Sequence, residues 1–157
     1  MRVRGLSRVV ATTVLLLSFL TGCNADRHTD TVMGDVNPFG WLKEVTLSFD
    51  NTDTLSKGDL MLVVRCGSDL DSDRLPLSIE FTAPDSTRFV ERKVFPLRMP
   101  GKAASSAAVI TVPYRRAVRF SQSGRYTVTL RPLQKVCGIE AAGFTYKKIE
   151  KTWEKTN

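Results

Sequence analysis

Several kinds of residue are scarce in this 157-residue chain, and each scarcity excludes a class of protein. The single histidine, His28, excludes any mechanism that needs two imidazoles. Three cysteines are too few for a disulfide-dense scaffold or a four-cysteine zinc site. Ten glycines and seven prolines exclude a collagen-like or low-complexity chain. With 42% hydrophobic and 25% charged residues, the rest of the composition is that of one ordinary globular domain.

The N-terminal apolar run is too short to cross a membrane. It covers residues 9–20, whereas a spanning helix needs about 20 apolar residues. A run of this length after an arginine-rich start is typical of a secretory signal peptide. Leu20-Thr21-Gly22-Cys23 then has the bacterial lipobox pattern of Leu, two small residues and Cys. We therefore predict a lipoprotein signal peptide over residues 1–22 and a lipid on Cys23.

Lipidation of Cys23 predicts that the membrane is a partner of this protein, since two or more acyl chains anchor a protein stably. Asn24 follows the cysteine, where enterobacteria use Asp as an inner-membrane retention signal. With no dense acidic run behind it, this start favours the outer membrane and its periplasmic side. Removing residues 1–22 also lowers the net charge from +7 to +4. An exported chain of such modest charge is not expected to bind nucleic acid.

Alternation of apolar and polar residues dominates the rest of the chain and predicts an all-β domain. Residues 23–38 are polar and read as a tether, so the predicted domain covers residues 39–157. Seven or eight strands, no helical period and no alternation of strands with helices predict one antiparallel β-sandwich, either immunoglobulin-like or jelly-roll-like. The predicted strands are 45–49, 60–64, 77–81, 89–95, 109–112, 118–120, 126–130 and 144–149.

Cys66 and Cys137 are the two thiols that remain after lipidation of Cys23. In an oxidising compartment they can form a disulfide. The alternative is that both are buried thiols acting as small apolar residues. A nucleophilic thiol is not expected, because the only histidine, His28, lies in the predicted tether.

The remaining candidates for chemistry have ordinary structural explanations. Asp69, Asp71 and Asp73 imitate the spacing of a calcium loop, but Arg74 stands where that loop needs glycine. The basic segment 114–120 is typical of a charged strand edge. No nucleophile elbow, phosphate loop or zinc motif occurs. We therefore predict no catalytic residue, no metal and no cofactor, and a protein that is not an enzyme.

Four segments, in order, carry a family resemblance. They are Gly40-Trp41 before residues 45–49, the stretch 65–85, the stretch 114–133, and the closing stretch 138–151. Together they resemble the gliding-motility lipoprotein H (GldH) family of Bacteroidetes, although residues 100–108 depart from its pattern. The resemblance implies an envelope lipoprotein associated with gliding motility and the linked secretion apparatus, with protein partners there. The family has no established catalytic residues to carry over.

Two functions therefore remain open. The first is a non-enzymatic, lipid-anchored accessory component of a motility- or secretion-associated envelope assembly. The alternative is a surface lipoprotein that binds a glycan or another ligand, since small sandwiches stack sugars on exposed aromatic rings. Two or three coplanar exposed rings would favour the second function. The candidate rings are Trp41, Tyr114, Tyr126, Tyr146 and Trp153.

The predicted lipid on Cys23 can be tested by metabolic labelling. Cells given an alkyne-tagged palmitate are expected to label this protein and to retain it in the membrane fraction. Cys23→Ala removes the acceptor thiol and should abolish both results, whereas the matched change Cys66→Ala should leave both unchanged. Label that persists in Cys23→Ala would contradict the prediction.

Overall fold

A computed structural model describes residues 29–98 and 107–149 of the chain. These residues form eight β-strands in two four-stranded antiparallel sheets that pack face to face. The predicted all-β sandwich is thereby confirmed. The described residues contain no helix able to cross a membrane. The predicted signal peptide, residues 1–22, and the predicted lipid site, Cys23, lie outside the described residues.

The eight strands fall alternately into the two sheets, apart from one hairpin. Sheet one has the order β1-β8-β3-β6 and sheet two the order β2-β7-β4-β5. The bounds are β1 Thr29–Asp35, β2 Val45–Asn51, β3 Gly58–Cys66, β4 Arg74–Thr82, β5 Arg88–Pro96, β6 Ala108–Val118, β7 Gly124–Pro132 and β8 Ile139–Lys148.

The pairing describes one long antiparallel ribbon that is folded back at the turn between β4 and β5. β4 pairs with β5, β3 with β6, β2 with β7 and β1 with β8. At the turn, the amide of Ala83 donates to the carbonyl of Thr87 at 2.9 Å. Rolling this ribbon places successive pairs in opposite sheets, which is the arrangement of an eight-stranded jelly roll. Of the two sandwich types predicted, the structure is therefore the jelly roll.

The core lies between the sheets and is built from alternate residues that point inward. Each fully buried aliphatic or aromatic side chain contributes about 1.5–3 kcal/mol by leaving water. Val63 is also buried, although it lies between the inward residues Leu62 and Val64. On that outer face of β3, Val63 is buried, Met61 is half-buried and Arg65 is exposed. The largest fully buried side chains include Trp41, Phe95, Leu62, Leu75, Leu77, Ile79, Leu130 and Ile139.

Strand β1 corrects the predicted tether. Thr29–Asp35 falls inside residues 23–38, yet it pairs with β8 along its whole length. An edge strand is held mainly by backbone hydrogen bonds, so one inward apolar residue, Val32, is enough, and the alternation is too weak to recognise. The hydroxyls of Thr31 and Thr145 add a hydrogen bond of 2.9 Å across the pair. The domain therefore includes residues that the sequence assigned to a linker.

Two other strand predictions change. The predicted strands 109–112 and 118–120 are joined in one strand, β6, which continues through Pro113, and Phe120 lies in the loop after it. β8 begins at Ile139, five residues before the predicted segment. Its first half contains Ala and Gly, which have low strand propensity. These small residues are buried because β8 lies between β1 and β3.

Gly143 marks the close approach of β8 to β1 and gives a test of this packing. A methyl group there would overlap the carbonyl oxygen of Val32, which belongs to the backbone and cannot rotate away. A methyl group on Gly34 would instead meet side-chain atoms of Val45 and Leu47, at 2.6 and 2.9 Å. Gly143→Ala should lower the free energy of unfolding by about 1–3 kcal/mol. Gly34→Ala should lower it less, as measured by urea denaturation, and the reverse order would contradict this account.

Candidate binding site

One side of the sandwich is open between β5 and β6, which are edge strands of opposite sheets. Side chains bridge the two edges. Lys93 Nζ donates to the carbonyl oxygen of Tyr114 at 3.1 Å, and the Tyr114 hydroxyl donates to Glu91 Oε2 at 2.8 Å. Arg115 Nη2 donates to the same oxygen at 2.8 Å. Polar side chains therefore join the sheets here.

The charge state of this bridge follows from its surroundings. The hydrogen bond from the Tyr114 hydroxyl, followed by the one from Arg115, holds the pKa of Glu91 below its ordinary value. Burial raises the pKa of Tyr114 to about 12, so its hydroxyl keeps its proton and remains a donor. Glu91 is thus a carboxylate at neutral pH that accepts two hydrogen bonds. This arrangement fixes the orientation of the Tyr114, Arg115 and Glu91 side chains.

An apolar cavity of about 240 Å³ lies beside the bridge, between the sheets. Five aromatic rings line it: Phe81, Phe89, Tyr114, Phe120 and Tyr126. The charged residues among its described lining are Arg115 and Arg119. The Arg115 guanidinium lies 4.9 Å from the centre of the Phe89 ring, a cation–π distance. We call this space the arginine cavity.

A second cavity, of about 460 Å³, has the opposite character. Its described lining includes three carboxylates, Asp30, Asp50 and Asp53, and one cation, Lys148. Phe120 lines both cavities. Its ring centre lies 5.0 Å from those of Phe49 and Tyr126 and 5.2 Å from that of Tyr146. Phe120 therefore lies at the boundary between the arginine cavity and this second cavity, which is lined by carboxylates.

A bulge in β6 determines the position of Phe120. The pairing of β3 with β6 shifts between Gly58 and Leu60, and Ala117 has a φ of 53°. That value lies in the left-handed region, which non-glycine residues rarely adopt. The Asp59 carboxylate satisfies the amide of Ala117 at 3.0 Å. The bulge turns the chain after Val118 inward, so that Phe120 is buried between the sheets.

The outer face of β5 exposes two valines, one on each side of Arg92. Val90 and Val94 are 58% and 56% exposed, and they lie opposite Glu80 and Pro76 of β4. Further across the same face, threonine and serine hydroxyls pair, as between Thr46 and Thr129 at 3.2 Å. The exposed valines therefore stand out on a polar sheet face.

The basic segment 114–120 was expected to be exposed as a charged strand edge, and only part of it is. Arg115, Arg116 and Arg119 are exposed, whereas Tyr114 and Phe120 are buried. The arginines follow the prediction, and the two aromatic residues face the interior. Glu91, which accepts hydrogen bonds from this segment, carries no recognisable signal in the sequence.

Cys66 and Cys137 do not form the disulfide that the sequence allowed. Cys66 is buried in the core, and its burial raises the pKa of its thiol to about 11. The Cys137 thiol is half-buried and donates to the carbonyl of Phe39 at 3.4 Å, and the Asp71 carboxylate raises its pKa. The raised pKa of each thiol keeps it protonated at neutral pH, and the two cysteines lie in different surroundings.

The calcium-like spacing does not assemble a site. The Asp71 carboxylate accepts the amide of Cys137 at 3.0 Å, and Glu80 forms an ion pair with Arg88 at 3.7 Å. No cluster of three or more potential metal ligands occurs within residues 29–98 and 107–149.

Among the described residues, the aromatic side chains proposed for sugar stacking do not form an exposed platform. Trp41, Tyr114 and Tyr126 are buried. Tyr146 is half-buried, with its hydroxyl donating to the carbonyl of Val118 at 3.0 Å. Trp153 lies outside the described residues. The large aromatic side chains exposed in the described part are instead Phe39 and Phe89, and Phe89 had no assigned role.

No family model matches this chain, and no curated protein matches it. Among solved structures it is similar to one described as a novel family GH115 4-O-methyl-alpha-glucuronidase with specificity for decorated arabinogalactans. The two are 10% identical with a TM-score of 0.39, and the match covers 74% of this chain and 16% of that chain. The chain thus corresponds to a small part of that enzyme, and a likeness this distant carries no argument about function.

The hydrogen bond between Tyr114 and Glu91 predicts a pH-dependent loss of stability. Tyr114→Phe should lower the free energy of unfolding by about 1.5–3 kcal/mol near neutral pH, because it removes a hydrogen bond to a charged acceptor. The folded pKa of Glu91 is depressed, so this contribution is present above its unfolded pKa of about 4.3. It is lost as the pH falls through the folded pKa.

Urea denaturation of both proteins from about pH 7 to about pH 2 measures this difference. Tyr126→Phe is the matched control, since the Tyr126 hydroxyl accepts from the amide of Gln122 at 3.2 Å and has no carboxylate partner among its described hydrogen bonds. The loss of unfolding free energy caused by Tyr126→Phe should not change with pH. A loss of unfolding free energy in Tyr114→Phe that is likewise independent of pH would contradict the hydrogen bond from Tyr114 to the Glu91 carboxylate.

Proposed function

We propose that this protein is a non-enzymatic, lipid-anchored component of the bacterial cell envelope that binds a protein partner along edge strand β5. The lipobox ending at Cys23 supports the anchor, and the family resemblance supports a partner in a motility- or secretion-associated assembly. The observation that carries the binding role is the exposed apolar edge of β5. The polar bridge of Glu91, Tyr114 and Arg115 lies beside this edge and joins it to the other sheet.

The four sheet edges differ in their fitness to add a strand. β1 and β2 contact each other and close one side of the sandwich. β6 contains Pro113, which lacks an amide proton and interrupts any added ladder. β5 has no proline before its last residue, Pro96, and it exposes Phe89, Val90 and Val94. β5 is therefore the edge best suited to pair with an extended segment.

Strand addition explains how such an edge gives both affinity and selectivity. The backbone of the partner segment pairs with β5, and its alternate side chains pack beside Val90 and Val94. Covering what remains exposed of each valine contributes roughly 1 kcal/mol. Arg92, exposed between the two valines, favours a segment with an acidic residue at that position.

Affinity purification of the lipidated protein from its native membranes tests this proposal. The wild-type protein should bring along motility or secretion components, identified by mass spectrometry. Val94→Lys should lose them, because it replaces an apolar contact of the partner segment with a third adjacent positive charge after Arg92 and Lys93. Val94 and the control position described next, Val109, are both exposed, so either substitution should change the free energy of unfolding by about 0.5 kcal/mol at most.

Val109→Lys is the matched control. Val109 is 61% exposed on β6, in the other sheet, and its substitution should leave the partners bound. Recovery of bulk lipoproteins alone from the wild type would overturn the proposal. Equal recovery from the two variants would place the contact elsewhere on the sandwich.

A further inference from the structure

The arginine cavity is lined mainly by apolar and aromatic side chains, as a site for an apolar chain requires. Its rings come from both sheets, with Phe81 and Phe89 on one and Tyr114 on the other. Phe89 is 47% exposed at its mouth. An apolar cavity offers water few partners and is the usual setting for a small ligand. At about 240 Å³ it is below the roughly 300–1,000 Å³ of most ligand sites, which excludes a two-chain lipid.

The charges at this cavity favour an anion. Arg115 and Arg119 line it, and the nearby Glu91 carboxylate is already occupied by Tyr114 and Arg115. Arg119 is thus the guanidinium best placed to receive a headgroup. The second cavity, beyond Phe120, suits an anion less, because Asp30 lines it together with Asp50 and Asp53, which are paired with Arg125 and Lys148. An anionic ligand is therefore directed to one of the two cavities.

The predicted anchor places this end of the sandwich beside the membrane. Strand β1 starts at Thr29, and Asp30 lines the second cavity next to Phe120. Both cavities therefore lie at the end where β1 begins. Six residue steps separate Thr29 from Cys23, and a fully extended chain covers at most about 20 Å over that distance. A lipidated Cys23 holds Thr29, at this end of the sandwich, within that distance of the lipid surface, and the arginine cavity lies at the same end, across the sheet from β1.

From these observations we propose that the arginine cavity binds a single-chain anionic amphiphile taken from the membrane surface. The apolar chain lies among the rings of Phe81, Phe89 and Phe120, and the headgroup pairs with Arg119. The supply of ligand from the membrane rests on the proposed lipid anchor. The pocket itself is separate from the outer face of β5, where Val90 and Val94 lie.

Photolabelling in a membrane tests the site directly. The full-length lipidated protein is placed in phosphatidylcholine vesicles with dodecanoate that carries a diazirine on its chain. After irradiation, the labelled peptides should contain Phe89 and Phe120. The neutral dodecanamide with the same diazirine should label them about tenfold less, the loss expected for removing a charged hydrogen-bond partner.

Two arginine variants separate the headgroup site from general basicity. Arg119→Gln should reduce labelling by the acid to the level of the amide. Arg116→Gln is the matched control, since Arg116 is exposed on the same segment and is not among the cavity lining, and it should label like the wild type. Equal labelling of the cavity by acid and amide in the wild type would overturn the proposal.

A filling variant tests the apolar part of the site. Ala83 lines the cavity, and Ala83→Trp should abolish labelling by both probes if the variant keeps the thermal unfolding transition of the wild type. Should this variant fail to fold, the peptide map of the wild type still decides, because label outside the cavity peptides contradicts the proposal. Val94→Lys should keep full labelling while losing the protein partner, so the two proposals fail separately.

Discussion

The antiparallel pairing that starts at the β4–β5 turn determines the place of every other strand. β3 with β6, β2 with β7 and β1 with β8 follow it in order along the ribbon, and the loops between them and the bulge in β6 adjust the register of each pair. Register matters because a slip of one residue would move side chains such as Leu62 and Leu77 from the core to the solvent. The same pairing brings Thr29 opposite Lys147, although most of the chain separates them.

A ribbon rolled in this way leaves the edges of β5 and β6 without strand partners. The polar bridge of Glu91, Tyr114 and Arg115 joins the sheets where backbone pairing cannot. A side closed by side chains also remains accessible, since the apolar cavity lies there. The exposed valines lie on the outer face of the same edge strand, β5. The features proposed for binding thus cluster where the fold leaves its backbone unpaired.

The candidate site was only partly predictable. The arginines of segment 114–120 were expected at a strand edge, and Arg115, Arg116 and Arg119 are exposed there. Glu91 and Phe89 gave no signal, because their roles come from a contact between edges of different sheets. The bulge at Ala117 was also missed, since a left-handed alanine is decided by the surrounding packing and not by its own preference.

The sequence by itself determined the all-β class and the sandwich, because alternation is a local pattern that each strand carries within its own residues. Strands β2, β4, β5 and β7 follow that pattern, and β3 was recognised instead as a continuous apolar run. It failed for β1 and the start of β8, where backbone pairing and small residues replace apolar alternation. Only the tertiary structure decided between jelly roll and immunoglobulin-like order, left Cys66 and Cys137 as separate thiols, and gathered Arg119 with the aromatic rings. Those outcomes depend on contacts between residues far apart in the chain, and such contacts exist only once the ribbon is rolled.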